Sequence, residues 1–175
     1  MSLPHDVAPG STVDFTFDIT APVVPGTYNF QWRMLQEGVQ RFGDATINVP
    51  ITVLSWTNQA EFVSQSVPGM MYATESYPVS ITMKNVGNTV WPAGSAYRLG
   101  SQNAHDNMTW GMNRVTLPHT VYPNQQVTFT FEVMAPLTTG KTNFQWRMVQ
   151  DGVEWFGATT PNVVVTVKPH PCPGC

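Results

Sequence analysis

A chain of 175 residues has room for one or two domains, but two complete β-sandwiches of roughly 100 residues each would not fit comfortably. Hydrophobic residues make up 42% and charged residues only 11%, well below the roughly 25% usual in soluble domains, so the chain is neither disordered nor coiled-coil. A net charge of −3 argues against nucleic acid as a partner, and no apolar run approaches the ~20 residues that membrane insertion demands.

The start, MSLPHDVAPG, lacks the charged and apolar regions of a signal peptide. Residues 3–43, LPHDVAPGSTVDFTFDITAPVVPGTYNFQWRMLQEGVQRFG, then return near the end as LPHTVYPNQQVTFTFEVMAPLTTGKTNFQWRMVQDGVEWFG, without a gap. Trp32 matches Trp146, and the same offset gives identical partners to Phe15, Phe17, Gly26, Phe30, Met34 and Gly43. The offset is about one sandwich plus a connection, far longer than the 20 to 50 residues of a solenoid repeat, so these are tandem domains. Residues 55–116 have no counterpart upstream. The expected organisation is therefore the truncated back half of a first repeat at 1–54, a complete domain at 55–168, and a linker or tail at 169–175.

Within the complete domain, YPVSITMKNVG alternates, with Val79, Ile81 and Met83 on one face, and then meets the turn-prone Asn85, Gly87 and Asn88. VTFTFEV places Val127, Phe129, Phe131 and Val133 together, the pattern of a half-buried antiparallel strand. APLTTGK must turn, as a hairpin or a crossing between sheets. Residues 142–148 form the next expected strand, with Phe144, Trp146 and Met148 on one side, and together with 127–133 it is expected to supply most of one inner layer. The last strand is expected at 162–167. No segment has helical periodicity, and 15 prolines argue further against helices. The class is all-β, held by packing, because both cysteines, Cys172 and Cys175, lie in the last four residues. The expected core is Trp32, Trp91, Trp146, Phe129, Phe131 and Phe144.

The segments MKNVGNTVWPAG with Trp91, the opening Val121-x-Pro123, VTFTFEVMAP, TNFQWRM with Trp146, and QDGVEWFG resemble the four-tryptophan Ig-like domain, defined in a eukaryotic autophagy cargo receptor and widespread in bacterial multi-domain proteins. The resemblance covers nearly all of 55–168 and repeats over 3–54. It implies an immunoglobulin-like antiparallel β-sandwich that mediates protein contacts. Two of the four signature tryptophans are kept, at Trp91 and Trp146. Ile81 stands in place of the first, and Pro161, or Ile47 in the early copy, stands where the last is expected. AYRLGSQNAHDNMTWGMNRVTLP, with Trp110, is more similar to the bacterial members. That implies an extracellular or cell-surface setting, in keeping with a surface rich in uncharged polar residues.

Trp155, Trp110, Tyr97 and Tyr122 are the candidate binding surface, against the plainer reading that tryptophans are packed inside. Trp155 leads, because the first copy carries Arg41 there and the fold does not require an aromatic at that position. No catalytic residues are assigned: the acids fall in turns (Asp106, Asp151) or on polar strand faces (Asp14, Asp18, Glu132), and no G-x-S-x-G elbow occurs. No cofactor or metal site is assigned either. His5 and His119 give one imidazole per copy, and HPCPGC, with His170, Cys172 and Cys175, falls one ligand short of a zinc site. Asn107 of NMT fits a glycosylation acceptor, but in a bacterial protein it reads as a turn. The expected function is a non-catalytic interaction or spacer module with a protein partner, the alternative being a carbohydrate-binding accessory module. A half-sandwich with open edges is marginal alone, so truncation is expected to lead to homodimerisation through residues 1–54.

Overall fold

The computed structural model describes residues 1–170, and the two cysteines and most of the expected tail lie outside them. The described residues form fourteen β-strands and no helix, in two compact units at residues 1–55 and from Trp56 onward.

Unit 1 holds β1 (Gly26–Phe30), β2 (Met34–Gln36), β3 (Gln40–Phe42) and β4 (Val49–Val53). Unit 2 begins with β5 (Ala60–Ser66), β6 (Met70–Tyr72), β7 (Ser76–Asn85), β8 (Tyr97–Ser101) and β9 (Arg114–Thr116). It continues with β10 (Gln126–Met134), β11 (Gly140–Phe144), β12 (Trp146–Gln150), β13 (Glu154–Phe156) and β14 (Val163–Lys168).

One sheet of unit 2 runs β10-β7-β5. Period-2 alternation on two neighbouring strands puts like residues opposite each other, so Val127, Phe129 and Phe131 of β10 pair with Met83, Ile81 and Val79 of β7. Two further sheets, β11-β14-β6 and β13-β12-β8-β9, are joined where β11 passes into β12 across Gln145 alone. Their inner residues, Phe144, Trp146, Met148, Leu99, Phe156 and Val165, are buried in the same core cluster as Val127, Phe129 and Ile81. Phe131 is partly buried and meets the Trp146 ring edge-on at 5.1 Å. Burying each large apolar side chain contributes roughly 1.5–3 kcal/mol, which explains how unit 2 coheres without a cross-link between its sheets.

Two expectations are corrected. Residues 142–148 are not one strand: the ladder changes partners at Gln145, whose carbonyl accepts from the Gln102 amide at 2.8 Å and whose Nε2 donates to Thr160 O at 2.9 Å. Nor do 127–133 and 142–148 share a layer. The turn at 135–139 is a sheet crossing, because β10 pairs with β7 whereas β11 pairs with β14.

Unit 1 reproduces the part of unit 2 from β11 to β14 in register. β1 pairs with β4 from Gly26↔Val53 to Phe30↔Val49, as β11 pairs with β14 from Gly140↔Val167 to Phe144↔Val163. Trp32 N donates to Thr46 Oγ1 at 2.9 Å and Arg33 Nε to Gly43 O at 2.8 Å, matching Trp146 to Thr160 at 3.0 Å and Arg147 to Gly157 at 2.9 Å. Phe17, Phe30 and Trp32 cluster as Phe131, Phe144 and Trp146 do. The surroundings differ. Trp146 is 0% exposed and Trp32 is 47% exposed, so the assignment of Trp32 to a closed core is corrected: among the described residues no strand pairs with β2 as β8 pairs with β12, and none pairs with residues 12–20 as β7 pairs with β10. Residues 12–20 repeat the sequence of β10 yet form no strand, because a strand needs a neighbour to satisfy its backbone groups.

Candidate functional site

The four-stranded sheet β13-β12-β8-β9 turns one face to the core and the other outward. Alternation sends Phe156, Met148 and Leu99 inward, and Trp155, Val149 and Arg98, paired across the same rungs, outward. Gly100, two residues along β8 from Arg98 and on the same face, has no side chain, and a Cβ there would stand 2.5–2.7 Å from the ring atoms of Trp155. The indole therefore lies down on the sheet over bare backbone, half-buried rather than upright.

Two segments frame it. His105, from the loop after β8, stacks on Trp155 with centroids 5.1 Å apart and planes 26° apart. Arg114, at the start of β9, holds its guanidinium carbon 4.9 Å from the ring centroid, a cation–π contact. Arg114 also binds Asp106 of that loop and, at 2.8 Å, Asp151 of the β12–β13 turn. Burial disfavours its charge, but the hydrogen bonds and charges of Asp106 and Asp151 outweigh that and hold its pKa above the usual value. Asn107 fixes the loop by donating to the carbonyls of Gln102 at 2.9 Å and Ala104 at 2.6 Å, which makes it a turn anchor. The result is a shallow hollow of about 250 Å³ bounded by Asp106, Arg114, Trp155 and residues 149–154.

The four candidate aromatics do not form one platform. Trp110 is buried, set edge-on to Phe144 at 5.6 Å, and its Nε1–H donates to Asn143 O at 2.9 Å. Tyr97 is buried beside Trp91, with its hydroxyl donating to Asn58 Oδ1 at 3.0 Å. Both are interior residues whose polar atoms find internal partners, which corrects their assignment to a binding surface. Tyr122 is exposed, with no ring partner among the described residues. Trp155 alone sits in a built polar setting. His105, Arg114 and Gly100, which complete that setting, escaped the sequence reading, although a glycine inside a strand signals close approach of another group.

His5 and His119 each place Nδ1 2.9 Å from the next residue's carbonyl, a local loop bond that puts the proton on Nδ1. Among the described residues, no group of three or more His, Cys, Asp or Glu could hold a metal ion.

If Gly100 is what lets the indole lie flat, Gly100→Val will lift it from the sheet. The Trp155 indole N–H resonance should shift by NMR while that of Trp146 stays in place; an unmoved Trp155 resonance would show that the ring is held from elsewhere.

Fold and site together define an immunoglobulin-like β-sandwich domain carrying one framed aromatic on its outer sheet. The sequence pattern of the Ig-like domain from next to BRCA1 gene matches residues 1–53 and 70–168, and the chain belongs to that family. Among solved structures, it is similar to a CARDB domain of Pyrococcus furiosus determined by NMR, at 12% identity over 65% of this chain and 95% of that one, with a TM-score of 0.42. No curated protein matches the chain.

Proposed function

We propose that the chain is a non-catalytic interaction or spacer module of the four-tryptophan, bacterial tandem kind, carried on a surface or secreted multi-domain protein. It comprises one complete sandwich at 55–168 and the back half of another at 1–54. The observation that carries the interaction reading is Trp155: a half-buried aromatic framed by a guanidinium, two carboxylates and an imidazole, at a position where the repeat tolerates Arg41. A residue that the fold can exchange, yet that is built into a polar surround, is better explained by contact with a partner than by packing. Tyr122 is a second, separate exposed aromatic.

A protein partner is favoured over a glycan because a sugar stacks on an open ring face, whereas this indole rests on the sheet at Gly100 and already has His105 and Arg114 against it. Both Asp106 and Asp151 are engaged by Arg114, which leaves them poorly placed for acid–base work and supports the non-catalytic reading. A net charge of −3 speaks against nucleic acid.

A glycan array with intrinsic fluorescence titration separates the readings. Trp155→Ala should cost only about 1 kcal/mol of unit 2 stability, the scale of a surface cation–π contact, and leave the array result unchanged. A saturable glycan signal that Trp155→Ala abolishes would replace the protein-binding reading with the carbohydrate-binding one.

A further inference from the structure

In unit 2, each apolar or backbone feature of the back half meets a particular part of the front half. Phe129 and Phe131 pair with Ile81 and Val79 of β7. β12 accepts β8 antiparallel, with Trp146↔Ser101 and Met148↔Leu99. β14 accepts β6 in parallel, with Val167↔Met71. Gly157, at φ 70°, lets the backbone of Ala60 approach to where a Cβ would stand 2.5 Å from it.

Unit 1 carries the same features, and among the described residues no strand pairs with them as β6, β7 and β8 do in unit 2. Phe15, Phe17, Trp32 and Met34 line an open trough of about 1270 Å³. β2 and β4 each belong to a two-stranded sheet, so each has one unpaired edge among the described residues. Gly43 keeps φ 70° although no atom lies within 4 Å of its would-be Cβ. The surface thus combines three independent demands: apolar knobs, an edge for an antiparallel strand, and an edge for a parallel one.

We infer that unit 1 is an acceptor for the front half of an Ig-like repeat of this same kind, a segment equivalent to residues 56–116. That segment would lay strands on β2 and β4 in the registers of β8 and β6, and order residues 12–20 as a strand. The inference rests on reading 1–54 as a back half, and is independent of the Trp155 surface. A second copy of this chain is a poor occupant. Its own residues 56–116 are engaged by 117–168, so each chain brings two back halves and one front half. Two copies of unit 1 would offer each other the same knobs and no strand of the required kind.

The test extends the full chain at its N-terminus with a second copy of residues 56–116, joined to Leu3 as Thr116 is joined to Leu117. Amides of β1, β2 and β4 should then gain about a hundredfold or more in hydrogen-exchange protection, towards the level of β11, β12 and β14. Gly43→Ala, which costs only backbone strain in the unextended chain, should now lower the melting temperature as much as Gly157→Ala does. An added segment bearing Ile81→Asp should abolish both gains. Unit 2 is the internal reference for the same sequences folding together. If unit 2 remains protected while β1, β2 and β4 do not change, or if protection rises in the unextended chain with concentration as dimers form, the inference is overturned.

Discussion

Trp146→Ala should remove about 3–5 kcal/mol from unit 2, the cost of emptying a fully packed aromatic site, and should do so in a domain whose whole stability is of the order of 5–15 kcal/mol. The indole is completely buried, with Phe131 at 5.1 Å and Phe144 at 5.9 Å, so no solvent can take its place and both neighbours lose their contacts. Thermal or urea melting followed by circular dichroism will read the loss. Trp32→Ala provides the control within the same chain. Its sequence neighbours, hydrogen bonds and aromatic contacts match those of Trp146, but its ring is half exposed and should be worth about 1 kcal/mol. Equal effects at the two positions would mean that burial is not what makes Trp146 matter.

Gly157→Ala should be the second severe change. At φ 70° an alanine costs about 1–2 kcal/mol in backbone strain, and its Cβ would stand 2.5 Å from the N, O and Cβ of Ala60, adding about 1–3 kcal/mol of overpacking against backbone that cannot move aside. The same carbonyl of Ala60 accepts the Ala158 amide at 2.8 Å, so any shift also breaks a bond that ties the two halves of the sandwich. Gly43→Ala has the same φ and open space, and should cost the strain alone. Melting of the two variants separates conformational strain from close packing, and a Gly157→Ala no worse than Gly43→Ala would refute the contact at Ala60.

The internal comparison also shows how far residues alone specify this fold. The alternation in β7 and β10 is plain because each strand has one face in the core and one turned away from it, and the all-β class follows from it, whereas the immunoglobulin-like type came only with the family resemblance. The break at Gln145 left no mark on the pattern, because Phe144, Trp146 and Met148 stay buried on both sides of the change of partner. β8 was hard to see for a related reason: Leu99, Gly100 and Ser101 are all buried, so the sequence does not alternate. Trp110 and Tyr97 look like surface aromatics in a polar, turn-rich stretch, but each has a polar atom that bonds inside, to Asn143 and Asn58. The site itself was half legible. Trp155 stood out against Arg41, whereas His105 and Arg114 reach it from segments far apart in sequence, and only the sheet order β13-β12-β8-β9 brings them together. Most telling are residues 12–20, with the same Phe-x-Phe pattern as β10 and no strand, since pairing is decided by what lies alongside.

Hydrogen exchange on the dilute full chain tests the central claim most directly, because β11 to β14 recur as β1 to β4 in one molecule. Amides of Gly140–Phe144 and Val163–Lys168 should be protected close to the global stability of unit 2, while those of Gly26–Phe30 and Val49–Val53, in identical ladders, should exchange orders of magnitude faster. Equal protection in the two sets would show that residues 1–54 stand as a closed domain by themselves, and would contradict the account of one complete sandwich and one open half.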